Sequence, residues 1–250
     1  MKVRMQCRKI HARPVAEPEN VRNVKRRIAE AAQSAGRDPA EIMLVAATKM
    51  NTSGRVREAI AAGVDACGEN RVQEMTEKLA ENAYEGAPLH FIGHLQKNKV
   101  KQVVGKVQLI ESVDSPELLR LISARAVSLG IRQEILLELN IGGEQAKTGA
   151  PVGLLPQMLE LAGELDGVFV RGLMAIPPIS PEKGANRPYF SRMYQLFVDN
   201  MKKKYNNVSM DFLSMGMSGD FEDAIAEGAN MIRVGTAIFG MRNYAPEVKI

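Results

Sequence analysis

The stretch MLVAATKM (43–50) is an apolar run interrupted by one cation, Lys49. Lysine is rarely buried unless it is paired or chemically employed. Far along the chain, SMGMSGDFEDAI (214–225) reads as a glycine-rich turn running into a helix, and Gly235-Thr236 adds a backbone donor and a hydroxyl. Backbone N–H groups at such a turn, with the positive end of a helix, suit a phosphate. A lysine held near other cations has a lowered pKa and attacks carbonyls. Together these residues suggest a Schiff base to a phosphorylated aldehyde. Singly they have plainer readings: Lys49 snorkelling to water, Ser218 capping a helix, Gly235 packing.

The elements that must bring these residues together are visible as a repeating pattern. A first helix is predicted over Val21–Ala35, with Val21, Val24, Ile28, Ala31 and Ala35 on one stripe and Gly36 as its stop. Candidate strands follow at Met43–Ala47, Val64–Gly68, His90–Gly93, Gln108–Val113, Glu134–Asn140, Val168–Ala175, Met210–Met215 and Met231–Phe239. Helical segments lie between them, near 53–62, 70–83, 96–104, 115–129, 152–164, 188–204 and 219–227. Ser115-Pro116-Glu117 places Ser at an N-cap and Pro at the first helical position. Strands apolar on both faces and separated by helices imply a parallel sheet. Eight such units in a chain of 250 residues fit an α/β fold of the (β/α)8 TIM-barrel kind. A doubly wound open sheet is the alternative, but no G-x-G-x-x-G follows the first strand.

A (β/α)8 barrel carries its site at the C-terminal ends of its strands, with phosphate frequently held after strands seven and eight. The predicted strand ends are polar: Thr48-Lys49, Glu69-Asn70-Arg71, His94 with Lys97 and Lys99, Asp114, Asn140 with Lys147 further on, Ser218-Gly219-Asp220, and Arg233 with Gly235-Thr236. Pyridoxal 5'-phosphate (PLP) is the first candidate ligand for such a mouth. The sugar-phosphate substrate of a Schiff-base aldolase is the second. Lys147 is read as a solvated loop residue or a secondary phosphate contact.

The formal net charge is +4, but Lys2, Arg4, Arg8, Lys9 and Arg13 all precede the first acid, Glu17. Without them 28 bases face 29 acids. The basic excess therefore belongs to an extension over 1–18, read as a disordered tail or extended start with a transit peptide as the alternative. One domain is expected over 19–250, and nucleic acid is not an expected partner. No apolar run approaches the roughly 20 residues that span a bilayer, so no membrane partner is expected. Two cysteines, Cys7 and Cys67, form no disulfide framework, which fits a reducing, cytoplasmic setting. Three histidines, His11, His90 and His94, leave a His-built metal site improbable.

The motifs LVAATKM, GENRVQE, LHFIGHLQKNKVK, IESVDSPEL, LNIGGEQAKTG, VRGLMAIPP, RPYFSRMYQLF and FLSMGMSGDFEDAIAEGANMIRVGTAIFG occur in this order. Through them the chain resembles the YggS/PROSC family of PLP homeostasis proteins, across nearly everything after Pro18. The resemblance implies the fold type III barrel of the alanine racemase N-terminal domain. It implies PLP covalently bound to Lys49, with Ser218, Gly219, Gly235 and Thr236 on the phosphate, Asn70 beside the cofactor and Arg233 facing the pyridine nitrogen. An arginine there disfavours a protonated ring and weakens its use as an electron sink. The family often has an aromatic residue where this chain has Arg71.

Alanine racemase adds a second, mostly β domain and a tyrosine base, and the sequence up to Ile250 leaves no room for that domain. Tyr84, Tyr189, Tyr194, Tyr205 and Tyr244 lie away from the predicted strand ends, and His94 is read as a structural histidine before a base. The expectation is a monomeric, non-catalytic PLP carrier with PLP-requiring apo-enzymes as partners. A monomeric PLP-dependent racemase is the alternative.

Overall fold

The computed structural model describes residues 17–144, 148–178, 180 and 182–241. Among them eight parallel strands close into a barrel in sequence order. They are β1 (Met43–Ala47), β2 (Ala66–Glu69), β3 (Leu89–Phe91), β4 (Leu109–Val113), β5 (Gln133–Leu139), β6 (Val168–Ala175), β7 (Val208–Ser214) and β8 (Met231–Val234). The seam pairs β1 with β8, Val45 opposite Arg233. The helices are α1 (Glu17–Ser34), α2 (Ser53–Ala61), α3 (Val72–Ala80), α4 (Val100–Val103), α5 (Pro116–Ser128), α6 (Leu155–Gly163), α7 (Arg187–Met201), α8 (Phe221–Ala226) and α9 (Thr236–Phe239).

Alternation along the strands divides the apolar residues into two cores. Val45, Ala66, Leu109, Leu136, Met174 and Met231 fill the barrel. Leu44, Ala46, Cys67, Ile110, Ile135, Leu137, Leu213 and Ile232 pack outward among the helices. This is why the strands read as continuous apolar runs. The same parity carries Val45 and Ala47 inward, and Lys49 is the next position in that register.

The expected barrel is present, and β1 and β6 have the predicted bounds. Strands β2, β3, β4, β5 and β7 are shifted by one or two residues at one or both ends, and three elements differ further. The first helix covers the described residues from Glu17, ahead of Val21, and Glu17 pairs with Arg55 on α2. Its buried stripe continues from Ile28 to Ala32 rather than to Ala31 and Ala35. The segment 96–104 is a 3-10 turn at Lys97–Lys99 followed by the short α4. The last strand stops at Val234 instead of running to Phe239: the N–H groups of Ile238 and Phe239 bond back to the Gly235 carbonyl at 3.0 and 2.9 Å, making α9. The apolar Ala237–Phe239 run reads equally as strand or buried helix.

The capping signals are realised. Ser115 Oγ accepts from the Leu118 N–H at 3.3 Å, with Pro116 opening α5. Gly36 ends α1 at φ +69°, the left-handed conformation common just past a helix end. Lys202, Lys203 and Lys204 are exposed at and beyond the end of α7. No helix among the described residues is long and apolar enough to cross a membrane.

Candidate functional site

A cavity of about 670 Å³ opens at the C-terminal ends of the strands, and Lys49, Asn70, Ser218, Gly219, Arg233, Gly235 and Thr236 all line it. These seven come from the ends of β1, β2, β7 and β8, brought together by the closure of β8 onto β1. Lys49 is half-buried. Arg71 is exposed and does not line this cavity. Lys147 and Tyr244 lie outside the described residues.

The two glycine turns are joined to each other. Ser218 Oγ accepts from the Gly235 N–H and the Ala237 N–H, each at 3.2 Å. Ser218 therefore does not cap the helix that follows it. Asp220 is the N-cap of α8, and its carboxylate accepts from the Met217 N–H and from Asn186 Nδ2, both at 2.7 Å. Gly216 makes the turn tight: at φ +91° an added Cβ would lie 2.6 Å from Ala224 Cβ.

Asn70 is fixed from behind. A Cβ on Gly93 would lie 2.2 Å from the Asn70 carbonyl oxygen, so only glycine permits the β2 and β3 ends to meet this closely. Asn70 Oδ1 is buried without a hydrogen-bond partner among the described residues. Such an orphaned acceptor costs about 1–3 kcal/mol unless a bound molecule satisfies it.

Arg233 lines the cavity and is 4% exposed. Its guanidinium donates to Ser214 Oγ at 2.5 Å and to the Ala175 carbonyl at 2.9 Å, and lies 3.8 Å from the Glu111 carboxylate. Glu111 also accepts from Ser214 Oγ at 2.6 Å and pairs with His90 Nδ1 at 2.8 Å. A charged layer on β3, β4, β7 and β8 thus lies in the barrel interior. Burial works to raise the Glu111 pKa, but the His90 bond and charge, Arg233 and Ser214 outweigh it and hold the carboxyl below its usual range. Burial lowers the Arg233 pKa, yet arginine keeps its proton.

Glu138, buried on β5, behaves oppositely. Burial pushes its carboxyl up, and Asp114 adds to this, although Thr148 donates to it at 2.6 Å.

Sequence reasoning missed this buried layer. His90 and Glu111 each sit inside an apolar strand, and only inward parity identifies them as facing Arg233. The other candidate bases are elsewhere. His94 is exposed and 3.3 Å from Asp114, and Tyr84 is buried against Glu69 at 3.1 Å. No tyrosine or histidine among the described residues lines the cavity, and no cluster of metal-binding side chains occurs among them.

Comparisons with known proteins agree with this architecture. The family described as "Alanine racemase, N-terminal domain" matches residues 20–243. A pyridoxal phosphate homeostasis protein of Pseudomonas aeruginosa is 41% identical over 226 residues, covering 90% of this chain and 96% of its own. The structure of PipY from Synechococcus elongatus with PLP bound is 34% identical, with a TM-score of 0.71, over 85% of this chain and 100% of that one. Alanine racemase of Corynebacterium glutamicum, at 13% identity and a TM-score of 0.66, covers 92% of this chain and 62% of that one and shares the fold. The chain therefore belongs to the family of the pyridoxal phosphate homeostasis proteins, built on the barrel of the alanine racemase N-terminal domain.

Proposed function

We propose that the cavity binds pyridoxal 5'-phosphate covalently through Lys49, and that the protein carries and sequesters this cofactor and thereby maintains PLP and amino-acid homeostasis. The observation that carries this reading is the convergence of Lys49, Asn70, Ser218, Gly219, Arg233, Gly235 and Thr236 on one cavity. The orphaned Asn70 Oδ1 supports it, since a bound molecule with a donor would satisfy that atom.

PLP would supply an aldehyde for the Lys49 amine. The protein's own groups do the rest. The Gly235 and Ala237 N–H groups, which now donate to Ser218 Oγ, are placed to turn to phosphate oxygens, with the Ser218 hydroxyl free to donate as well. Gly219 and Thr236 complete that end. Arg233 presents a permanent cation to the ring nitrogen and so discourages its protonation. That restrains carbanion chemistry and favours holding over turnover.

We read the carrier as a cytoplasmic monomer serving PLP-requiring apo-enzymes, over a domain from about residue 19. Visible absorption with added PLP, before and after borohydride, tests the proposal. The unsubstituted protein should show a yellow band that reduction fixes onto Lys49, and Lys49→Ala should not. A colourless protein would return the sugar-phosphate aldolase to first place. Amino-acid α-deuterium exchange at a turnover rate would favour the racemase instead.

A further inference from the structure

Lys49 is bracketed by two backbone groups whose partners come from α3. On one side, the Thr48 carbonyl accepts from Lys78 Nζ at 2.7 Å. On the other, the Met50 N–H donates to Glu74 Oε1. Met50 has φ +61°, a left-handed conformation that a side-chain-bearing residue adopts only when its surroundings enforce it. The two contacts are linked, because Glu74 Oε1 also accepts from Lys78 Nζ at 2.7 Å. One carboxylate and one ammonium thereby close a loop around the peptide units on both sides of Lys49.

The loop is anchored in the barrel. Lys78, only 5% exposed, makes a third bond to Glu69 Oε1 at 2.6 Å. That oxygen also accepts from Thr48 Oγ1 at 2.7 Å and Tyr84 Oη at 3.1 Å. A buried ion pair is by itself weak evidence of stabilisation, because apolar packing often replaces it without loss. The cluster holds the Thr48 carbonyl and the Met50 N–H through hydrogen bonds with one helix.

We propose that Glu74 and Lys78 are positioning residues, clamping the Thr48–Met50 backbone so that Lys49 Nζ meets the aldehyde of a ligand whose phosphate is fixed on the Ser218 and Gly235 turns. This rests on the PLP reading above. Capture joins the amine nitrogen to the aldehyde carbon and releases one water, with no redox change. It requires both ends of the ligand to be in place at once, and reacting atoms to lie about 3 Å apart. If the clamped backbone falls to about a tenth of the population, the apparent dissociation constant rises about tenfold. Groups that do not need both ends aligned are unaffected.

The test compares the unsubstituted protein with Glu74→Ala and Lys78→Met, and with Glu77→Gln as control, since Glu77 is exposed and its carboxylate accepts from Gln73 on the same helix. Three probes are used: PLP capture by visible absorption, affinity for pyridoxine 5'-phosphate, which lacks the aldehyde, and reductive methylation of Lys49 by formaldehyde, read by peptide mass spectrometry. The expected result for Glu74→Ala is PLP affinity down about tenfold, with pyridoxine phosphate affinity and Lys49 methylation within twofold of the unsubstituted protein. Glu74 is partly exposed, so this variant keeps the test open if Lys78→Met does not fold. Equal PLP capture by Glu74→Ala and the unsubstituted protein overturns the clamp, as does a parallel loss in all three probes. No capture by the unsubstituted protein overturns the cofactor reading and the clamp with it, a result distinguishable from both.

Discussion

Ser218 on the turn after β7 accepts a hydrogen bond from the Gly235 N–H on the turn after β8, at 3.2 Å. Its hydroxyl thus sits where backbone donors from the last turn converge. Replacing it should separate the phosphate end of the site from the amine end. For Ser218→Ala, affinity for pyridoxine 5'-phosphate should fall about ten- to a hundredfold, the scale of one hydrogen bond to a charged group at about 1.5–3 kcal/mol. Affinity for pyridoxal, which has no phosphate, should be unchanged. Titration calorimetry with the two ligands checks the split.

The buried layer under the cavity should be intolerant of single changes. Removing one partner of a buried ion pair costs about 3–5 kcal/mol. Glu111→Leu should therefore lower the melting temperature by about 6–20 °C, at about 2–4 °C per kcal/mol for a chain of this size, and disorder Arg233. Calorimetry measures the loss.

Glu111 also has a pH signature. Its folded pKa lies below the usual carboxylate range. Its stabilisation is therefore fully present above the unfolded pKa and is lost as pH falls through the depressed folded value. Below about pH 4.5, the unsubstituted protein should lose stability on acidification more steeply than Glu111→Gln. Denaturant melts at pH 7, 5 and 3 give the comparison.

Glu138 should show the opposite sign. Its folded pKa is raised, first by burial. The ionised form is the disfavoured one, so it costs stability once pH exceeds the unfolded pKa. Glu138→Gln, which can still accept from Thr148, should melt higher than the parent at pH 7 and converge with it near pH 4. A lower melting temperature at pH 7 would mean that the ionised carboxylate stabilises the fold, against this sign.

Burial raises the Cys67 pKa to about 12, with Glu69 adding to the shift. The thiolate, which is the reactive form, is therefore scarce at neutral pH. The Cys67 peptide should remain unlabelled by iodoacetamide at pH 8 in the folded protein and label fully in denaturant, as read by mass spectrometry.

Much of this architecture was legible because barrel strands are apolar on both faces. MLVAA stands out as an unbroken run and VFVRGLMA as one broken only by Arg171 and Gly172, and a glycine follows most of the helices between them. Lys49, Ser218 and Gly235 could be placed around one mouth because strand ends in such a barrel share one side. The boundary of β8 was not legible, because Thr236–Phe239 carries too little pattern to separate a helical turn from a strand. The Glu69–Glu74–Lys78 cluster was hidden for another reason. On a helix, Glu74 and Lys78 look like an ordinary surface i,i+4 pair. Only the fold shows that Lys78 turns inward onto Thr48. The Glu111–Arg233 pair joins β4 to β8 across the barrel, and spacing along the chain carries no trace of it.

The meeting of β1 with β8 sets a schedule as well as a shape. Lys49 leaves the ribosome long before Gly235, and neither has its neighbour until the seam closes. The site is therefore a property of the finished circle. A nascent or broken chain can display the lysine but not the turns that would hold a phosphate. A ligand that needs both ends held would therefore find its site only once all eight strands have closed.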